Sequence, residues 1–385
     1  MASTKGPELE ELVRAYFARQ GFFAIRSVPL QYESEDVTDI DVWVYGRQAA
    51  SARTRMVVDA KNKRSPKAFE RIMWVRGLQA VLGCDRAIVA TTDGSPAVTR
   101  FAQQQKVAVL TRNFLERLEK RIDVDSRLSL EQFIECIEAN PSHKQDGEWL
   151  RRISDAKAAL TSLPGFPAFN RIMAAFAFFA ERVETRAQHR EQAVRAALFC
   201  AALACVALDG ALERLTYASL DQRLQGIMDG VAYGDSGDGR AQSNIDTVLA
   251  VVSENMPNGR VVAAQARGAF DKLFSSIRAD VIAEFFAREA NAGQLFNVAK
   301  ELDDCAHAIS PEQLRNLSTE ARSVIGVFCD FVGAKRSLLQ SDKVSFSRRS
   351  AVSPMAASDA TTEPSKPDHR DEAQNEETSG QHKLL

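Results

Sequence analysis

The chain has 385 residues, 45% of them hydrophobic, and a net charge of −2. That length is enough for two domains, since single domains usually run to about 100–200 residues, and the composition is that of an ordinary globular protein. No stretch approaches the roughly 20 apolar residues that a membrane-spanning helix needs. The most apolar run, Ala196 to Leu208, reads as a buried helix. The N-terminus, MASTKGPELEEL, has no apolar core after a basic start and does not read as a signal peptide, so a cytoplasmic location and no membrane partner are expected. Six cysteines at 84, 136, 200, 205, 305 and 329 form no CxxC pair and read as reduced core residues rather than a zinc site. His143, His189 and His307 have no ligand spacing between them. The small net charge hides an asymmetry. Residues 1–122 hold 20 Lys+Arg against 14 Asp+Glu, a net of +6, and the remainder holds 29 against 37, a net of −8. A basic front part fits a polyanionic partner.

In chain order, Pro7 to Gln20 reads as a helix, with Leu9, Leu12, Val13, Tyr16 and Phe17 at spacings of three and four and Gly21 as its stop. GFFAIRSVPLQYE is a strand-like run rich in aromatic and β-branched residues. TDIDVWVYG alternates so as to send Ile40, Val42 and Val44 to one face and Asp39, Asp41 and Trp43 to the other. TRMVVDAKNK is a short apolar strand ending in charge. A helix is predicted from about Pro66 to Leu82, a buried strand over Arg86 to Thr92, a helix from about Pro96 to Gln105, a short strand VAVLT, and a closing helix from Arg112 to Lys120. The order α-β-β-β-α-β-α-β predicts an antiparallel meander for the first three strands and parallel pairing for the later ones, in a mixed sheet with helices on its faces.

Past residue 125 the strand signal disappears. LSLEQFIECIEA, FNRIMAAFAFFAERVETRA, REQAVRAALFCAALACVAL, AFDKLFSSIRADVIAEFFAREA and TEARSVIGVFCDFVGAKRSLL all carry helical periodicity. Ala232 to Gln242, rich in Gly and Asp, reads as a loop. Three regions result: an α/β domain over 1–125, an all-helical domain over 126–340, and a tail over 341–385 whose polar composition predicts disorder.

Cleaving a phosphodiester near neutral pH calls for a metal that polarises the phosphate, and hard cations such as Mg²⁺ take oxygen ligands, usually carboxylates. A cation beside them stabilises the charge that develops on the phosphate. Asp41 lies on one predicted strand, Asp59 ends the next, and Lys61 follows on the same face of that strand. The gap between Asp41 and Asp59 suits a hairpin that sets the two carboxylates side by side. A charged D-x-K closing the apolar run Met56-Val57-Val58 is costly unless it has a partner or a task.

LEELVRAYFARQGF, then TDIDVWVYG, then VVDAKNK, then FERIMWVRGLQAVLGCDRAIVATT together resemble the PD-(D/E)XK, or restriction-endonuclease-like, nucleases, most of all their Mrr-type branch. The resemblance covers about residues 8–112 and lacks only the Pro-Asp pair that the family name describes, which many members lack too. It implies a metal-dependent DNA endonuclease using Mg²⁺ or Mn²⁺, with Asp41 and Asp59 as metal ligands and Lys61 as the catalytic lysine. Glu10 would be the helix acid that completes the metal site, with Glu11 as a substitute. Such nucleases also occur in bacterial restriction and anti-phage defence. Asn62, Lys63, Arg64, Lys67, Arg71 and Arg76 could contact phosphates or form a solvated basic face. Gln79 matches a helix glutamine found near the site in some relatives, or is a surface amide. Asp39 reads as a supporting or solvent-facing acid. A purely structural reading pairs Asp41 and Asp59 with Lys61 and Lys63 at a sheet edge. A second functional reading makes the fold a silent module that binds nucleic acid or a partner protein without cutting. The acidic, apolar helical region is expected to mediate self-association or partner docking, with DNA contact confined mainly to residues 1–122.

Overall fold

The computed structural model describes residues 6–33, 35–61, 67–234, 237–310 and 316–336. The expected tail over 341–385, and Asn62, Lys63 and Arg64, lie outside the described residues. Helix α1 (Gly6–Arg19) leads into β1 (Phe23–Tyr32), β2 (Glu35–Ala49) and β3 (Ala52–Lys61), followed by α2 (Ala68–Leu82), β4 (Arg86–Thr91), α3 (Pro96–Gln104), β5 (Val107–Leu110) and α4 (Arg112–Glu119). The five strands form one sheet in the order β1-β2-β3-β4-β5. β1, β2 and β3 pair antiparallel, and β3, β4 and β5 pair parallel. This is the mixed sheet that the strand pattern predicts.

The edge strand β1 tolerates Pro29, which cannot donate to a ladder. Its outer edge is covered by α6 (Trp149–Ser162), whose Thr161 Oγ1 donates to the Pro29 carbonyl at 2.9 Å while Ser162 Oγ accepts the Gln31 N–H at 3.3 Å. Leu9, Leu12, Val13 and Phe17 of α1 and Leu115 and Leu118 of α4 bury one face of the sheet against Val42, Val44, Val58 and Ile88. The other face carries Phe23, Ile25, Trp43, Val57 and Val89.

Ile40 corrects one expectation. It does not share a face with Val42 and Val44 but joins the opposite cluster with Trp43, Val28 and Leu30. The ladder passes from Arg26 opposite Val42 to Val28 opposite Ile40, skipping Ser27 and Asp41, and Ser27 has a left-handed backbone (φ 48°). That irregularity changes the phase of the pleat. Asp41 sits where the alternation breaks.

The helical region supplies α5 (Leu130–Glu138), α6, α7 (Gly165–Thr185), α8 (Arg190–Leu212), α9 (Leu220–Tyr233), α10 (Gly237–Asn255), α11 (Gly259–Ser276), α12 (Ala279–Phe286), α13 (Glu289–Ala306) and α14 (Thr319–Val332). The loop expected over 232–242 is much shorter: α9 runs to Tyr233, Gly234 ends it with a left-handed φ of 71°, and α10 starts at Gly237. In α8, 19 of 23 residues are buried. The helical stretch Ala187–Leu215 is long and apolar enough to cross a membrane, contrary to the expectation that no stretch comes close, but 89% of its most apolar window is buried inside the protein. Five of the six cysteines are buried, as a core role requires, and Cys136 is half-buried.

Residue 125, the expected border of the two regions, lies between α4 and α5, and core residues from both sides of it pack together. Phe23, Trp43 and Val57 of the sheet share a continuous core with Phe133, Trp149, Phe166, Phe179 and Leu198. A buried charge fixes the junction. Asp209 of α8 is 1% exposed and accepts the Tyr45 hydroxyl at 2.6 Å, Arg47 Nη1 at 2.9 Å and Arg53 Nη2 at 3.0 Å. Burial, with Asp209 beside it, pushes the Tyr45 phenol well above its ordinary value and keeps it a donor. Removing one member of a buried charge network strands the others in a medium that solvates them poorly. Asp209→Ala should therefore cost about 3–5 kcal/mol of stability in urea unfolding. A loss below about 1 kcal/mol would show that the network contributes little.

Candidate functional site

The site residues expected from the sequence lie in the middle of β2 (Asp41), at the end of β3 (Asp59 and Lys61) and near the start of α1 (Glu10). The β2–β3 ladder ends at Val42 opposite Val58, while Asp59, Ala60 and Lys61 stay paired with Val89, Ala90 and Thr91 of β4. Asp41 reaches across this end. Its Oδ2 accepts the Ala60 N–H at 2.8 Å, and its Oδ1 accepts Lys61 Nζ at 3.1 Å. Asp41 is nearly buried (11% side-chain exposure), while Lys61 keeps 34%, so its ammonium is both held and accessible. Of the last residues of β3 only Lys61 emerges from the core, while Val57, Val58, Asp59 and Ala60 remain buried, so the charge of Asp59 needs a partner.

Asp59, at 5% exposure, does not turn to Lys61. Arg71 of α2 grips it: Nε donates to Oδ2 at 2.8 Å, and Nη2 pairs with Oδ1. Burial lowers the pKa of Arg71, and Asp41 opposes that shift, so Arg71 also lies within electrostatic reach of Asp41. Glu10 approaches from α1, on the other face of the sheet. Its Oε2 accepts Arg26 Nη2 at 3.1 Å. Burial raises its pKa, the nearby Asp41 adds to the rise, and Arg26 and Lys61 oppose it. The structure thus joins Asp41 to Lys61, sets Glu10 within the field of both, and turns Asp59 to Arg71. Among the described residues no three His, Cys, Asp or Glu side chains stand together as a ready metal cage.

The donor chemistry nonetheless suits a hard divalent cation. Asp41, Asp59 and Glu10 offer only carboxylate oxygens, and the mutual repulsion of Glu10 and Asp41 is what a cation between them would relieve. Arg71 engages both Asp59 oxygens, so a cation approaching Asp59 meets a charge already paired there and competes with it.

Several other expectations change. Glu11 is no substitute for Glu10: it is buried between Arg14 Nε at 2.6 Å and Arg26 Nη1 at 3.2 Å. Gln79 is neither at the site nor on the surface. It is 8% exposed, and its amide donates to the Cys84 and Asp85 carbonyls beyond the C-terminal end of α2. Arg71 is committed to Asp59 rather than standing free for phosphate. Lys67 is solvent-exposed in a pair with Glu70, the kind of surface pair worth little. Asp39 is exposed. Arg26 went unrecognised as a site residue, although a single arginine inside the apolar run FFAIRSVPL is a signal that buried acids await it.

Residues 1–118 match the family model Mrr_cat, described as a restriction endonuclease. The N-terminal region has the Mrr-type restriction-endonuclease fold. This supports a nuclease. No curated protein and no solved structure matches the chain. In this Mrr-type region the Arg71–Asp59 pair acts as a competitor for any cation at Asp59. Arg71→Met should raise Mn²⁺ affinity, read by calorimetry without nucleic acid, by at least about fivefold. An affinity that stays level or falls would show that Asp59 is not part of the cation site.

Proposed function

We propose that residues 1–125 are a Mg²⁺- or Mn²⁺-dependent DNA endonuclease domain. The observation that carries this reading is the Asp41–Lys61 contact at the end of β3, next to Asp59, within the stretch that matches restriction endonucleases. Asp41, Asp59 and Glu10 would hold the cation. Once bound, it supplies Lewis acidity at the phosphate and a nucleophile near neutral pH. Lys61, oriented by Asp41 and one-third exposed, places a positive charge where the phosphate becomes more negative and fixes the attacking water. The Ala60 N–H holds the second Asp41 oxygen, so Asp41 presents a fixed geometry. Arg71, once displaced from Asp59, becomes free to contact phosphate. The net charge of +6 over residues 1–122 draws a polyanion to this part of the chain. By fold analogy the activity belongs to bacterial restriction or anti-phage defence.

A second reading, a nuclease-like module that binds without cutting, is favoured by the grip of Arg71 on Asp59. Plasmid cleavage with Mn²⁺ separates the two. Lys61→Ala and Asp59→Ala should each lower the cleavage rate by about 100-fold or more with the fold retained by circular dichroism. Cleavage by either variant at the wild-type rate refutes the catalytic assignment, and no cleavage by the wild type supports the binding module.

Cutting both strands needs two sites or one that acts twice, and each chain supplies one. We assign the assembly of two copies to the helical region, residues 126–340, through the α10–α11 hairpin. Val248, Val251, Val261 and Leu273 on it are more than half exposed (59%, 56%, 58% and 58%). Residues 243–276 carry three acids and three bases, so two copies can approach without net repulsion. In light scattering, Val251→Glu with Leu273→Glu should halve the wild-type mass. An unchanged mass would remove the hairpin from the assembly.

A further inference from the structure

Arg26 is contested by three acids. Its guanidinium is 2% exposed and serves three carboxylates at once. Nη1 donates to Glu11 Oε2 at 3.2 Å and Glu131 Oε2 at 3.1 Å; Nη2 donates to Glu10 Oε2 at 3.1 Å and Glu131 Oε1 at 2.9 Å. A terminal guanidinium nitrogen carries two hydrogens. All four are therefore spent, while Nε is buried without a partner. Glu131 takes two of the four in a parallel fork, the arrangement that best fixes a guanidinium plane.

The three acids are not equivalent. Glu11 has a second arginine, Arg14. Glu10 has Arg26 as its ion-pair partner, and its Oε1 has no hydrogen bond among the described residues. Glu131 comes from the helical region, in the first turn of α5, and is about half exposed. That turn is rigid. Ser129 and Gln132 close a capping box, and Phe133, 1% exposed, stacks on His307 at 4.6 Å between ring centroids. Lys157 of α6, buried nearby with its pKa pushed by burial down to about 8, is close to Arg26, Glu131 and Asp39 and supplies no hydrogen bond to Glu10.

We propose that Glu131 is a positioning residue for the nuclease site. It holds Arg26 in a fork that restricts Arg26 to one bond with Glu10, and so leaves Glu10 Oε1 free for a divalent cation beside Asp41. In the plane that this fork fixes, Nη2 alone reaches Glu10 and the neighbouring Nε stays unpaired; without Glu131 the guanidinium is free to turn and bind both oxygens of Glu10. Loss of Glu131 then acts twice in one direction: it lets Arg26 close on Glu10 and leaves the Arg26 charge less neutralised next to it. The helical region thereby sets the metal affinity of a site built from α1 and the sheet. The inference rests on the nuclease reading, in which Glu10 is a metal ligand.

The test uses the full chain with Mn²⁺ alone in calorimetry, and crystal structures of the variants. Glu131→Ala removes the fork, Glu131→Gln keeps the length and one acceptor, and Glu138→Gln removes an equal charge from the same helix away from Arg26. Mn²⁺ affinity should fall by about tenfold in Glu131→Ala and by less in Glu131→Gln. In Glu138→Gln it should stay within about twofold, as expected for a screened surface charge. Equal affinity of Glu131→Ala and wild type, or an equal fall in Glu138→Gln, overturns the proposal. The Glu131→Ala crystal structure separates this inference from the nuclease reading. Arg26 closed on both Glu10 oxygens supports the positioning role even if the wild type binds no Mn²⁺, an outcome that removes the metal-site reading instead. Arg26 unmoved in that structure overturns the role of Glu131.

Discussion

Helix α8 is buried along nearly its whole length, and a helix that is apolar all round persists in water only when every side of it is covered. This requirement organises the rest. α5, α6, α7 and α13 wrap α8, and the core they form with it continues into the aromatic face of the sheet. One face of the sheet is dressed by α1 and α4. Here part of the other face is dressed by the helical region, so the two regions are joined by a hydrophobic core rather than by a linker.

A junction of that kind has to manage charge as well as apolar surface. Buried charges survive where they meet partners with enough hydrogen bonds. The protein does this at two points. Asp209 of α8 collects Tyr45, Arg47 and Arg53 at one end of the sheet strands. Near α1, Arg127 donates to Asp303 at 2.7 Å and to Asp304 at 2.8 Å, and Arg26 meets Glu131. The Asp209 network and the Arg26–Glu131 pair cross from the N-terminal region to the helices, and the Arg127 pair lies within the helical region beside them. Burial works to raise the carboxyl pKa of Asp303, but Arg127 and His307 beside it outweigh this and hold it low, so the pair stays ionised inside the protein.

The candidate site lies at the edge of this second network. Its acids are each pinned by a different cation: Asp41 by Lys61, Asp59 by Arg71 and Glu10 by Arg26. Asp41 adds to the rise in the Glu10 pKa, and the resident cations offset that repulsion. The strength of each pin differs with its burial and its number of bonds. Lys61 is the loosest and Arg26 the most crowded.

The sequence by itself determined the order of the elements, the antiparallel meander followed by parallel strands, the helical nature of the described residues past 125, and the D-x-K at the end of β3. These are local facts. Side-chain alternation, helical periodicity and turn residues act over a few positions, and so does the spacing that puts Lys61 beyond Asp59 on one face of a strand. Only the tertiary structure decided which cation each acid meets. Asp59 and Arg71 are 12 residues apart and Arg26 and Glu131 are 105 apart, and nothing local selects those partners over the many other charges in the chain. The same limit explains Ile40 and Gln79. A left-handed residue at Ser27 in the partner strand shifts the phase of the β2 pleat, and the fold of the α2–β4 turn brings the Gln79 amide onto buried carbonyls. Pairing across the sheet and burial between layers exist only once the chain has closed on itself, and the charges at this site take their partners from that closure.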